Sequence, residues 1–178
     1  MHRLKKNKIL ITVIIILLTG FLIPQRFVIP VEGAKKGDWN EESFWYYPWG
    51  ESVTHKGVDI FAKEGTNVVS STSGFIVYKG EIGRGGLVVL ILGPKWRLHY
   101  YAHLNEINIG WLNYAGKGEK IGTVGRTGNA KNTPPHLHYT ILTIVPYPWR
   151  IDSDIQGWKK MFYLNPIEYM NKSLSEIE

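Results

Sequence analysis

The stretch TPPHLHYT, residues 133–140, places two histidines one residue apart directly after a pair of prolines. Successive side chains of an extended strand point to opposite faces, so His136 and His138 share one face while Leu137 and Tyr139 share the other. Two strand rises separate the histidines by roughly 6.6 Å at the backbone, which lets both rings reach one small object. Two explanations fit the pair alone: polar residues on a half-exposed strand, or a site that holds a metal ion or a scissile bond.

Short runs rich in β-branched and aromatic residues surround this stretch. They are separated by Gly, Pro, Asn and Lys clusters at the spacing of strands and turns, and they include TNVVSS, GFIVYKG, GLVVLILG, RLHYYAHL, EKIGTVG and LHYTILTIV. Because these runs show no long 3.6-residue period, the sequence predicts a mainly β domain built on an antiparallel sheet. One short C-terminal helix is predicted at NPIEYMNKSL, where Asn165 and Pro166 form the pattern of an N-cap followed by a proline in the first turn.

The chain has six histidines and no cysteine, so any metal site must use His, Asp or Glu side chains. In THKGVDI, Asp59 follows His55 by four residues, which in a straight strand would separate their Cα atoms by roughly 13 Å. The chain must therefore bend for both to hold one ion, and Gly57 permits a bend. His55, Asp59 and one histidine of the HLH pair then form a set of two histidines and one carboxylate, the ligand type of a catalytic zinc.

A second histidine-rich run, LHYYAHL, covers residues 98–104. Strand alternation places His99, Tyr101 and His103 on one face. The sequence contains no HExxH helix that would supply a glutamate base, and a histidine with an ordinary pKa near 6.5 is the natural replacement. We interpret His103 as a residue near the metal and His99 as an ordinary strand residue.

Taken in order, these motifs resemble those of the lysostaphin or LytM-type zinc endopeptidases of the bacterial cell wall. The matching motifs lie within residues 48–142 and read PWG, HKGVDI, GT, GFIV, YAHL, GEKIGTVGRTGN and TPPHLHY. The resemblance implies an antiparallel β-sheet fold with an open groove, one Zn²⁺ per chain, and hydrolysis of peptide cross-links in peptidoglycan. The short stretch between PWG and His55 differs from that of the enzymes that cut glycine bridges, so the resemblance does not identify the bond that is cut.

The resemblance also assigns roles to five residues. His55 and Asp59 match the first two zinc ligands of the H-x-x-x-D motif, and His138, the second histidine of H-x-H, matches the third. His136 and His103 match the two catalytic histidines that assist the attacking water and stabilise the transition state. In this interpretation the neighbouring histidines of HLH have different tasks.

The N-terminus has the pattern of an export signal. The basic segment MHRLKKNK is followed by sixteen uncharged residues at 9–24, ILITVIIILLTGFLIP. Such a segment is either a cleaved signal peptide, which leaves a secreted protein, or a retained signal-anchor. The lack of a good A-x-A-like cleavage site favours retention as a transmembrane helix. Because the positive charges precede the apolar segment, they are expected to stay cytoplasmic and the following residues to cross the membrane.

The predicted organisation has three parts. Residues 1–30 form the cytoplasmic basic stub and the transmembrane segment, and residues 31–43 form a polar linker. The metallopeptidase β domain extends over residues 44–178. It opens with FWYYPWG, whose four Trp and Tyr side chains are too dense for one small core, so that they pack inside or rim a cleft.

Composition narrows the classes of partner. The net charge is +6, but four of the positive charges precede residue 9, which leaves +2 for the rest of the chain. A nucleic-acid partner therefore lacks a basic surface to bind, and the predicted partners are wall peptides and, through the N-terminal helix, the bacterial cytoplasmic membrane. The absence of cysteine excludes a disulfide framework and a cysteine nucleophile.

Two alternatives to a zinc endopeptidase remain open. The first is a catalytically inactive member of the same fold that binds wall material or activates an amidase. The second is an aromatic-rich carbohydrate-binding β domain without a metal. The complete set of His55, Asp59 and His138 favours the enzyme, because inactive relatives lose zinc ligands and a carbohydrate-binding domain would not need them.

Overall fold

The computed structural model describes residues 2–110 and 113–176, and of residues 2–6 the backbone alone. Residue 1 of the predicted N-terminal segment and residues 111–112 and 177–178 of the predicted domain lie outside this description. Within it, nine strands form one sheet in which every pair is antiparallel, as the sequence predicts. The elements are α1 His2–Leu22, β1 Val58–Phe61, β2 Asn67–Val69, β3 Gly74–Ile82, β4 Gly86–Gly93, β5 Arg97–Ile107, β6 Tyr114–Ala115, β7 Lys120–Val124, β8 His136–Thr143, β9 Tyr163–Leu164 and α2 Pro166–Ser175.

The order of the strands places β8 at the centre of the site. The main sheet runs β1-β8-β5-β4-β3-β6, while β7 joins β5 to β2 and β9 extends β8. In this register Asp59 of β1 lies opposite His138 of β8, and Ala102 of β5 lies opposite His138 on the other side. The pairing thus brings the carboxylate of HKGVDI directly beside the second histidine of HLH.

Strand β8 has one core face and one groove face. Leu137, Tyr139 and Ile141 are completely buried in the hydrophobic core, together with residues of the neighbouring strands. His136 and His138 alternate with them and line a groove on the opposite face. The predicted division of HLHY between two faces is therefore confirmed.

Strand β5 departs from simple alternation at its end. His99 and Tyr101 are completely buried on the core side, as alternation predicts, whereas His103 lies in the groove. The register with β4 shifts between Tyr101 and Leu104, so that two residues of β5 oppose one of β4, and His103 adopts a φ of +63°. The expectation that all three residues share one face is wrong for His103, because this β-bulge turns its side chain to the other side.

The segment predicted as a linker, residues 31–43, packs onto the sheet. Val31 is 2% exposed and Trp39 is 4% exposed, and both belong to the core cluster. Val31 forms an isolated bridge with Val68, and the backbone of Glu32 donates to the carbonyl of Asn67 at 3.0 Å. A few apolar residues of this mainly polar segment therefore pack in the core beside the sheet.

The N-terminal helix α1 carries large apolar side chains that are mostly exposed from Ile9 to Leu22. It contacts the β4–β5 turn, where the indole N–H of Trp96 donates to the carbonyl of Leu17 at 2.9 Å. Among the described residues, no helix has both the length and the apolar character needed to cross a membrane.

The C-terminal helix α2 begins where the sequence predicts. The side chain of Asn165 accepts a hydrogen bond from the backbone N–H of Ile167 at 3.1 Å, and Pro166 occupies the first turn. The cap satisfies an N–H that has no partner within the helix. Ile167 and Met170 then bury the inner face of α2 in the core.

Candidate metal centre

Three side chains present one ligand atom each to a common point. His55 Nε2 lies 3.2 Å from Asp59 Oδ1 and 3.2 Å from His138 Nδ1, and the latter two atoms are 2.7 Å apart. A tetrahedral zinc ion with bonds of 2.0–2.1 Å keeps its ligands roughly 3.3 Å apart. The three atoms therefore already stand close to the separation that a zinc ion requires.

His55 is fixed by the segment that precedes it. Its backbone pairs with two aromatic residues, since Trp45 N–H donates to the His55 carbonyl at 2.6 Å and His55 N–H donates to the Tyr46 carbonyl at 3.0 Å. Its ring donates from Nδ1 to the Ser43 carbonyl at 2.9 Å and stacks on Trp49 at 4.1 Å between ring centroids. Because Nδ1 carries the proton, the lone pair of Nε2 is available to a metal.

Gly57 lies between the two ligands of the H-x-x-x-D motif. Its φ is not positive. A Cβ atom at this position would lie 2.5 Å from both the Tyr139 carbonyl oxygen and Thr140 Oγ1. A glycine is therefore required here because the backbone approaches β8 closely, and this approach brings His55 and Asp59 to His138. The site does not depend on the ability of glycine to adopt a positive φ.

His138 is oriented by its neighbours on both sides. Its Nε2 is hydrogen-bonded to Thr140 Oγ1 at 3.1 Å, and Tyr100 packs edge-on against the ring with centroids 6.3 Å apart. When Nδ1 is given to a metal ion, Nε2 carries the proton and donates to the threonine. This second hydrogen bond sets which nitrogen faces the site.

Asp59 is held as a carboxylate. Burial alone would raise its pKa, but the adjacent rings of His138 and His55 hold the pKa of Asp59 well below its usual range. The group therefore supplies a negative charge near pH 7. Two imidazoles and one carboxylate form a donor set suited to Zn²⁺.

His136 and His103 face the same groove but stand outside the three-atom group. His136 donates from Nδ1 to the Pro134 carbonyl at 2.8 Å, and its Nε2 lies 3.9 Å from Asp59 Oδ2. His103 donates from Nδ1 to the Thr127 carbonyl at 2.9 Å. Burial, followed by the repulsion that His138 and His136 exert when they are protonated, lowers the pKa of His103 to about 4, so the ring is neutral near pH 7. Both rings thus present an Nε2 lone pair that can accept a proton.

A groove of about 320 Å³ opens over this group. Its walls include three histidines, His103, His136 and His138, together with Trp49, Tyr100, Asn129 and Arg84. Of the aromatic cluster at residues 44–50, Trp49 lines the groove, whereas Trp45 is buried and packs against Tyr163. Trp49 thus rims a cleft and Trp45 packs inside the protein, so each of the two predicted roles of the cluster is found for one residue.

Two threonines that were not predicted from the sequence support the site. Thr127 fills the bulge of β5, since its Oγ1 accepts from Leu87 N–H at 2.9 Å and donates to the Leu104 carbonyl at 2.8 Å. Thr140 orients His138 through its hydrogen bond to Nε2. Thr140 could have been found by strand alternation, because it follows His138 by two residues on the same face. The carbonyl of Ser43, which accepts from His55 Nδ1, could not have been identified from the sequence, because every residue has a backbone carbonyl.

Comparisons with known proteins identify a family profile and relatives that match the chain. The sequence profile of peptidase family M23 matches residues 53–147. The DD-carboxypeptidase/endopeptidase Mpg of Neisseria meningitidis is 42% identical over 85 residues, which are 48% of this chain and 19% of that protein. The chain thus spans about a fifth of the length of this relative.

Two solved structures are similar in fold. The catalytic domain of lysostaphin from Staphylococcus simulans has a TM-score of 0.59 and 28% identity, and the match covers 78% of this chain and 92% of that one. A zinc-containing peptidase from Vibrio cholerae has a TM-score of 0.53 and 25% identity over 65% of this chain and 36% of that one. The fold is thus shared with a peptidase domain and with a peptidase that contains zinc.

Proposed function

This chain belongs to peptidase family M23, and from that premise we propose that it is a zinc-dependent endopeptidase that hydrolyses peptide cross-links of bacterial peptidoglycan. The observation that carries the proposal is the set of three ligand atoms of His55, Asp59 and His138, 2.7–3.2 Å apart at the floor of a groove. A carbohydrate-binding domain has no use for such a set.

The chemistry divides between the metal and the protein. When bound, Zn²⁺ polarises the scissile carbonyl and lowers the pKa of water toward about 7. His136 and His103 hold their Nδ1 protons on backbone carbonyls, so the Nε2 atoms are free to take the proton of the attacking water and to return it to the leaving amine. As a proton is taken up, the same rings become donors that stabilise negative charge on the substrate oxygen.

An inactive, wall-binding or amidase-activating protein is the alternative. It would not need both non-ligand rings to be held in the proton-accepting tautomer. His136 is 5% exposed and His103 is 8% exposed, and each has its Nδ1 on a carbonyl. Such defined placement of two polar rings favours a catalytic role.

We also propose that the domain works outside the cytoplasm and is tethered there by its N-terminal segment. The support is the basic segment before residue 9, the uncharged stretch at 9–24 and the exposed apolar side chains that α1 carries. A membrane or an export receptor would remove those side chains from water. Protease added to intact cells stripped of their wall should digest the domain while a cytoplasmic marker survives, and protection of the domain would contradict the proposal.

Digestion of purified peptidoglycan tests the activity. The zinc-loaded chain is incubated with peptidoglycan, and the new termini are identified by mass spectrometry, with His138→Ala and a chelator-treated sample as matched controls. New peptide amines and carboxylates that appear only with the loaded wild type support the endopeptidase. Release of intact stem peptides from sugar would indicate an amidase, and binding without new termini would indicate the inactive alternative.

A further inference from the structure

The groove contains one permanently cationic side chain. Among the described residues that line it, Arg84 is the only Lys or Arg, and it faces the same cavity as Asp59, His103 and His138. Its side chain is 53% exposed, so a ligand in the groove can reach the guanidinium. A planar guanidinium with five N–H groups suits the two oxygens of a carboxylate.

The backbone at Arg84 is fixed relative to the metal centre. Arg84 lies in the turn Gly83–Gly85 between β3 and β4. A Cβ atom on Gly85 would lie 2.1 Å from the hydroxyl of Tyr100, and a Cβ atom on Gly128 would lie 2.1 Å from the Arg84 carbonyl oxygen. Since Tyr100 also packs against His138, the turn that presents Arg84 contacts a side chain that touches the metal site.

The guanidinium of Arg84 already has a carboxylate partner. Arg84 Nη2 forms an ion pair with Glu51, which lies on the turn Gly50–Ser52 beside the same groove. The side chain of Glu51 is 79% exposed, and ion pairs between exposed groups contribute little to stability. A carboxylate of a bound substrate can therefore replace Glu51 on Arg84 without loss of a buried interaction.

We propose that Arg84 selects peptides that carry a free carboxylate close to the scissile amide, with Glu51 covering the guanidinium when the groove is empty. The inference rests on the proposed peptidase function and names its substrate class as acidic peptides. The carboxylate has two possible sources, an acidic side chain or the C-terminus of the peptide. In either case the guanidinium binds it through charge-assisted, bidentate hydrogen bonds, which also fix the position of the amide over the metal.

Matched peptides test the assignment. Two pairs are used with the full, zinc-loaded chain: one pair differs only in a side-chain carboxylate against its amide, the other only in a C-terminal carboxylate against its amide. Arg84→Gln should lower kcat/KM at least about tenfold for the carboxylate member of one pair and change the amide member by less than about twofold. The pair that responds identifies the source of the carboxylate.

Glu51→Gln is the matched control variant. It removes the same ion pair but leaves Arg84 in place, so kcat/KM for the carboxylate peptide should stay unchanged or rise. Equal losses on both members of a pair with Arg84→Gln, or the same loss with Glu51→Gln, would show that the ion pair only holds the groove together and would overturn the proposal. Thermal unfolding and zinc content are measured for each variant, to separate a folding or metal defect from a loss of selection.

Calorimetry measures the binding of the same peptides and so tests the role of Arg84 independently of cleavage. If the wild type binds carboxylate peptides more tightly than amides, loses that difference in Arg84→Gln and cleaves none, the peptidase proposal fails and the assignment of Arg84 stands. If the wild type cleaves all four peptides with equal kcat/KM, the peptidase proposal stands and the assignment of Arg84 is overturned.

Discussion

The ring of His103 lies beside the ring of His136, with centroids 5.1 Å apart, although the two histidines belong to different strands. Each donates from Nδ1 to a backbone carbonyl, of Thr127 and Pro134 respectively. The two Nε2 atoms are thereby held as a pair of proton acceptors in one groove. Neither ring contributes to the three-atom group of His55, Asp59 and His138.

The pair should act as a unit. His103→Ala and His136→Ala are each expected to lower kcat by at least about 100-fold, the low end of what a positioned acid or base contributes. The double variant should lose less than the product of the two single losses, because residues that act together are not additive. Single-turnover cleavage with the four proteins checks this, and fully multiplicative losses would show that the rings act independently.

Thr140 should tune metal affinity without being a ligand. Thr140→Val keeps the shape of the side chain but removes the hydrogen bond to His138 Nε2, which should weaken zinc binding about 10- to 100-fold. Competition with a chelator measures the affinity. Thr66→Val is a suitable control, because the Thr66 hydroxyl bonds only the Lys63 carbonyl among the described groups. Equal affinities of the two variants would mean that Thr140 does not orient the ligand.

His99 should make stability depend on pH. It is completely buried against Ser71 and Tyr139, and burial, followed by the nearby charge of Arg97, lowers the pKa of His99 from 6.5 to about 3. The unfolded chain therefore binds a proton that the folded chain does not, between about pH 6.5 and pH 3. Stability should fall as the pH drops through this window, by at most about 1.4 kcal/mol per pH unit from this group.

Denaturant unfolding at several pH values gives the free energy of unfolding as a function of pH. The contribution of His99 is the difference between wild type and His99→Gln in the slope of that free energy against pH. The variant is expected to be less stable at pH 7, because its amide replaces a fitted ring, yet to lose stability less steeply on acidification. Parallel slopes would show that folding does not lower the pKa of His99.

Val31 should contribute to the stability of the domain, although it lies in a segment whose sequence looks like a linker. Val31→Ala is expected to lower the free energy of unfolding by about 2 kcal/mol, because the side chain is 2% exposed and leaves a cavity in the core. Lys36→Ala, at an exposed position of the same segment, should change it by less than about 0.5 kcal/mol. Similar values for the two variants would mean that the segment does not pack on the sheet in solution.

The sequence predicts features that follow from regular periodicity and from motif order. Alternation along β8 was enough to separate His136 and His138 from Leu137 and Tyr139, and the cap at Asn165 was enough to locate α2. These features are local, since they depend on a strand period of two and on the residue types that satisfy a helix terminus.

Features that depend on long-range packing were not accessible in this way. The bulge that redirects His103 is stabilised by Thr127, which is 24 residues away along the chain from that histidine. Gly57 was predicted to provide a bend, whereas the structure uses its missing Cβ to admit β8. Burial of Val31 depends on its bridge to Val68, which no pattern within the segment itself indicates.

The central claim is that the neighbouring histidines of HLH have different tasks, His138 on the metal and His136 on the proton. It is tested most directly by measuring zinc content and peptidoglycan cleavage on the same samples of wild type, His136→Ala and His138→Ala. We expect about one zinc ion per chain in wild type and His136→Ala, with cleavage by the latter at least about 100-fold slower, and neither tight zinc nor cleavage in His138→Ala. A His136→Ala protein without metal beside a His138→Ala protein that retains it would contradict the account.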